Sequence, residues 1–144
     1  MRVVFDANVL ARAHQLSAGP ARQALLRVVT GSHVLVLSSY VVQEVERVLA
    51  YPRLLKRSRL TQTDIVHYLE FLVEVADLVP PAVIPSGVIR DVNDEPILGT
   101  ALAGRADFIC TRDEDFFDEA VIRFSAGAGV RILTDLGLLA LLRT

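Results

Sequence analysis

The sequence predicts an α/β protein with a parallel sheet. Three observations carry this. Short apolar runs rich in Val, Ile and Leu recur along the chain, and helix-like segments with 3.6-residue periodicity separate them. Alternation of this kind is built from strands joined by helical crossovers. Acidic residues also stand where the apolar runs end, and ligands of open α/β sheets sit beyond the carboxyl ends of the strands.

The elements follow in order. Arg2-Val3-Val4-Phe5 reads as a buried strand, Val9 to about His14 as a short helix, and Pro20 to Val29 as a second helix stopped by Gly31. Val34 to Leu37 is the second strand. Ser38 or Ser39 caps the next helix, which runs to about Ala50 and breaks at Tyr51-Pro52. Arg53 to Arg59 is a basic stretch, with a solvated turn between helices as its plainest reading. Thr61 or Thr63 caps a helix to about Val75, and Ala76 to Val79 forms a short strand. Pro80, Pro81, Pro85 and Gly87 mark a loop. Asn93 or Asp94 opens a helix ending near Gly104. Asp107 to Thr111 and Val130 to Leu133 are the last strands, and residues 135–143 make a terminal helix.

At 144 residues, 52% of them hydrophobic, the chain is expected to form one domain, residues 1–144, with a substantial core. No apolar run approaches the roughly 18 to 20 residues of a membrane span. The N-terminus moves straight into a strand without the pattern of a signal peptide, so a cytoplasmic location is expected. The single cysteine, Cys110, follows Phe108-Ile109 and reads as a buried strand residue. His14, His33 and His67 are scattered without zinc-ligand spacing. A net charge of −2 gives no overall basic character, although the cations comprise 14 Arg and only one Lys. Arginine matches phosphate geometry well, but composition alone does not argue for nucleic acid.

Four acidic clusters remain: Asp6 with Asn8, Glu44 with Glu46, Asp91 to Glu95, and Asp113 to Asp115. Each has a plain structural reading. Asp6 can cap the helix after it, or Asn8 can cap and hold the Asp6 carboxylate. Asp94 and its rival Asp91 can cap a helix, and Asp113 and Asp115 stand at a helix start that favours acids anyway. Glu44 lies beside the apolar stripe of Val41, Val45, Val48 and Leu49, whereas Glu46 points elsewhere. Converging carboxylates repel one another. Oxygen-rich sites of this kind suit a hard cation such as Mg²⁺ or Mn²⁺, which makes metal-assisted chemistry on phosphate the leading idea.

In this order and spacing the motifs resemble the PIN-domain nucleases. Phe5-Asp6-Ala7-Asn8-Val9-Leu10 is similar to the opening motif and Ser39 to Val45 to the helix with the second acid. Asp91 to Leu98 followed by Ala101 to Asp107 resembles the third motif. Cys110-Thr111-Arg112-Asp113-Glu114-Asp115-Phe116 resembles the fourth. The likeness spans residue 1 to about 135, and is to the small bacterial and archaeal branch of toxins from toxin–antitoxin pairs. It implies a three-layer α/β/α fold with about five parallel strands. It also implies single-stranded RNA as substrate, Mg²⁺ or Mn²⁺ as cofactor, a small antitoxin partner and a homodimer. For the dimer, a mean hydropathy of +0.42 adds slight support, and the helix from Thr61 to Val75 is the expected contact.

Carried over by position, the metal-binding acids are Asp6, Glu44, Asp94 and Asp113, with Asp115 as a fifth. Asn8 and Thr111 are placed to orient carboxylates. Arg112, Arg12, Arg53, Lys56, Arg57 and Arg59 are the candidate RNA contacts. Gly99 and Thr100 depart from the family pattern, where alanines are usual. The competing readings are a phosphotransfer enzyme with Asp6 as nucleophile and a Mg²⁺-bound receiver-like interaction module. The first wants an Asp where Asn8 stands. Both want a late Lys, and none follows Lys56.

Overall fold

The computed structural model describes residues 1–142. Five strands form one parallel sheet: β1 (Arg2–Phe5), β2 (Val34–Leu37), β3 (Asp77–Leu78), β4 (Phe108–Cys110) and β5 (Arg131–Leu133), in the order β3-β2-β1-β4-β5. The expected three-layer α/β/α architecture is present, with helices on both faces of the sheet. Val3, Val4, Phe5, Leu35, Val36, Leu37, Ile109 and Cys110 are almost fully buried. Burial on both faces is why these strands read as unbroken apolar runs rather than as alternation.

The helices are α1 (Ala7–Arg12), α2 (Pro20–Thr30), α3 (Ser39–Leu49), α4 (Pro52–Ser58), α5 (Gln62–Val75), α6 (Glu95–Ala103), α7 (Glu119–Gly127) and α8 (Asp135–Leu141). Short 3-10 turns cover Val92–Asp94 and Glu114–Phe117. No helix among the described residues is long and apolar enough to cross a membrane.

Several boundaries differ from expectation for identifiable reasons. The first helix starts at Ala7 because Asp6 itself is the cap, accepting from the Val9 amide. Pro52 does not merely end α3. It occupies the first turn of a new helix, where its missing N–H costs nothing, so Arg53 to Ser58 is helical rather than a turn. Ser38 stands before α3 without a capping bond; its buried hydroxyl instead meets that of Thr100 at 2.9 Å. Thr61 makes a full capping box with Asp64 at the start of α5. The helix start expected at Asp113 and Asp115 is a 3-10 turn, with α7 beginning only at Glu119, and residue 143 of the expected terminal helix lies outside the described residues.

The two departures at Gly99 and Thr100 now have physical causes. Thr100 supplies that buried hydroxyl contact. Gly99 lets α6 touch the backbone of the preceding loop, with its carbonyl accepting from the Ala82 amide at 2.9 Å.

The topology decides where a site can form. From β1 the chain winds outward through β2 and β3, then returns to the other side of β1 for β4 and β5. The direction therefore reverses between β1 and β4, and a crevice opens there at the carboxyl ends. Phe5 pairs in register with Cys110, so the residues that follow each, Asp6 and Thr111, emerge side by side.

Candidate active site

Asp6 leaves β1 and is only 6% exposed. Its Oδ1 accepts from the Val9 amide at 2.8 Å, and its Oδ2 accepts from the Thr111 hydroxyl. Burial raises its pKa, while those two hydrogen bonds and Arg12 oppose the rise. Thr111, fully buried, also accepts from the Asp113 amide at 3.0 Å. Asp113 Oδ1 in turn accepts from the Asp115 amide at 3.0 Å. One run of hydrogen bonds thus fixes the first and fourth motifs relative to each other. Thr111, rather than Asn8, holds the Asp6 carboxylate.

The third motif separates its two rivals. Asp91 caps the 3-10 turn by accepting from the Asn93 amide at 3.0 Å. Asp94 makes no capping bond and faces the cluster. Ligand oxygens of Asp94, Asp113 and Asp115 all lie within 4.8 Å of one another, close enough to hold one ion. Partial burial, followed by the charges of Asp113 and Asp91, pushes the Asp94 carboxyl up to about 7. Such crowding of hard oxygen donors suits a divalent metal ion.

Glu44 reaches the same cavity from α3. Both of its oxygens are taken by Arg47 one turn later: Nε to Oε1 at 3.2 Å and Nη2 to Oε2 at 2.7 Å. The Arg47 guanidinium also hydrogen-bonds the Tyr51 hydroxyl and lies 5.6 Å from the centre of that ring. Tyr40 donates to the Asn93 carbonyl at 2.8 Å, tying α3 to the third motif. The cavity, about 320 Å³, is lined by Asp6, Asn8, Glu44, Asp94 and Asp113 together with Tyr40, Arg47, Tyr51 and Asp91. Asp115 completes the ion-sized group beside it.

The cations singled out in the sequence divide. Arg12 and Arg112 border an adjoining cavity that shares Asp6, Asn8 and Asp113. Arg112 pairs through Nε with Asp135 at 2.7 Å, and that carboxylate is 1% exposed. Arg57 lies further along, Arg53 and Lys56 line a separate hollow, and Arg59 sits in a left-handed conformation after α4. Sequence reasoning missed Arg47 as a site residue. Its signal was the spacing to Glu44, since residues three apart share a helix face.

No curated protein sequence matches the chain. Among solved structures, a chain of the crystal structure of VapBC2 from Rickettsia felis bound to a DNA fragment from their promoter is similar in fold. Its TM-score is 0.58 at 12% identity, over 93% of this chain and 98% of that one. The family model described as PIN domain matches residues 2–115. That stretch runs from β1 through the fourth acidic motif and takes in every acid around the cavity, and the chain belongs to the PIN domain family.

Proposed function

We propose that the chain is a Mg²⁺- or Mn²⁺-dependent ribonuclease that hydrolyses phosphodiester bonds in single-stranded RNA. In this reading it is the VapC-like toxin of a toxin–antitoxin pair. The observation that carries the reading is the convergence of Asp94, Asp113 and Asp115 on an ion-sized space beside Asp6 and Glu44. Asp94, Asp113 and Asp115 would hold the ion, with Asp6 and Glu44 as further ligands, direct or through water. When bound, the metal supplies an activated water and offsets charge on the phosphate. The protein does the orienting. Thr111 and the Val9 amide fix both Asp6 oxygens, the Asp115 amide fixes Asp113, and Arg47 holds Glu44 against α3.

PIN-domain membership supports nuclease activity, and the VapBC2 likeness supports a small antitoxin as partner. A homodimer through α5, which exposes Val66 and Val73, belongs to the same proposal, as does a cytoplasmic location. End-labelled single-stranded RNA incubated with the protein should give fragments with Mg²⁺ or Mn²⁺ and none with EDTA. Intact RNA in every arm would refute the reading.

Thr111→Val tests the orienting role. The exchange keeps the shape but strips the hydroxyl from Asp6 and from the Asp113 amide. Cleavage should fall by about 10–100-fold, the usual effect of losing a group that orients a metal ligand. Mn²⁺ affinity, followed by calorimetry, should fall with it. Unchanged affinity and rate would show that Thr111 serves the fold alone.

A further inference from the structure

The acid cavity continues beyond the acids. The adjoining cavity, of about 320 Å³, shares Asp6, Asn8 and Asp113 with it and adds Arg12, Leu54 and Arg112. A further cavity of about 240 Å³ shares Arg12 and Leu54 with that one and adds His14 and Arg57. Shared wall residues set the three hollows in series, as a trough that leaves the acids between α1 and α4. Charge changes sign along it. The first part is lined by five carboxylates and one guanidinium; past Asp6 and Asp113 the charged side chains are Arg12, Arg112 and Arg57.

Helix α4 sorts its cations between two sides. Leu54, Arg57 and Ser58 turn toward the trough, while Lys56 and Arg53 line a separate hollow with Pro52 and Leu55. A protein of net charge −2 has no general attraction for a polyanion, so its grip must be local. Burial and the charge of Arg22 lower the pKa of His14, which leaves it a neutral ring in the trough wall near pH 7.

We propose that the trough between α1 and α4 carries the sugar–phosphate backbone of single-stranded RNA away from the reacting phosphate. Arg12 and Arg57 are its phosphate contacts, and Lys56 stands outside it. This rests on the ribonuclease reading above. It divides the basic residues of α4 by position rather than by charge.

The test uses the full chain carrying Asp94→Asn, so that the RNA survives, and a labelled mixed-sequence single-stranded RNA. Affinity is measured by anisotropy across a range of salt. Wild-type cleavage of the same RNA with Mg²⁺ or Mn²⁺ is followed in parallel. Arg57→Ala and Arg12→Ala should each weaken binding and lower the salt slope by about 0.7, the value for one single-strand phosphate. Arg57→Lys should restore the slope. Lys56→Ala, the charge-matched control, should leave slope and affinity unchanged.

Equal effects of Lys56→Ala and Arg57→Ala would overturn the trough, because charge alone would then explain binding. So would no effect of Arg57→Ala while the wild type still cleaves, and in that case the ribonuclease reading stands. If the wild type neither cleaves nor binds this RNA, both fall.

Discussion

Asp94→Asn should abolish RNA cleavage and yet raise the melting temperature of the metal-free protein. The loss of activity should exceed about 100-fold, since losing a group that only orients a metal ligand already costs about 10–100-fold. The gain in stability follows from the crowding. Partial burial and the neighbouring acids push the Asp94 carboxyl from 3.8 up to about 7, so the folded chain holds that proton more tightly than the unfolded chain. The stability linked to the proton is fully present below about 3.8 and is lost as pH rises toward about 7. At pH 7.5 the metal-free wild type therefore bears a repulsion that the asparagine variant lacks. Water still screens this half-buried group, so a difference of about 1–2 kcal/mol is expected. The two melting curves should converge near pH 4. Saturating Mn²⁺ should reverse their order at pH 7.5 by stabilising only the wild type. A variant less stable than wild type without metal, or one that keeps full cleavage, would remove Asp94 from the site.

Gly99→Ala should destabilise the protein, against the usual helix rule. In an exposed helix interior this exchange gains about 1 kcal/mol. Here an added Cβ would lie 2.2 Å from the Ala82 carbonyl oxygen and 3.2 Å from that residue's backbone nitrogen and carbonyl carbon. The obstacle is backbone, and the loop is tied to Gly99 by the Ala82 amide. A loss of about 1–3 kcal/mol is expected, as for other overpacked interiors, or several degrees in melting temperature. Cleavage should fall too, because α6 begins immediately after Asp94 and a displaced helix moves that carboxylate. A melting temperature at or above wild type would show that the loop yields freely.

Most of the fold was legible because its strands are buried on both faces. Val3 to Phe5 and Leu35 to Leu37 announce themselves as continuous apolar runs, whereas β3 is only Asp77–Leu78 and exposed. Helix α4 was hidden by Pro52, since a proline that opens a helix and one that ends a helix look alike in sequence. The acids were legible as motifs but not as a geometry. Asp91 and Asp94 are equal candidates on paper, and only the fold brings Asp94 into the ion-sized group with Asp113 and Asp115 while Asp91 stays in the cavity wall. Arg47 escaped notice because its importance lies in two contacts, one to Glu44 and one to Tyr51. Arg112 drew attention by its place inside the fourth motif, but its pairing with Asp135 was not legible, because Asp135 stands 23 residues further on and no local rule couples the two.

That last pairing bears on how much of the chain works as a unit. The recognisable family stretch stops at residue 115, and the acids are complete by then. Asp135, beyond it, is buried at the start of α8 and grips Arg112, the residue just before Asp113. The Thr111 amide is held by the Leu133 carbonyl of β5. A fragment cut at the end of the matched stretch would keep every acid of the cavity yet lose the struts behind the fourth motif. The structural unit that holds the fourth motif in place therefore extends through α8.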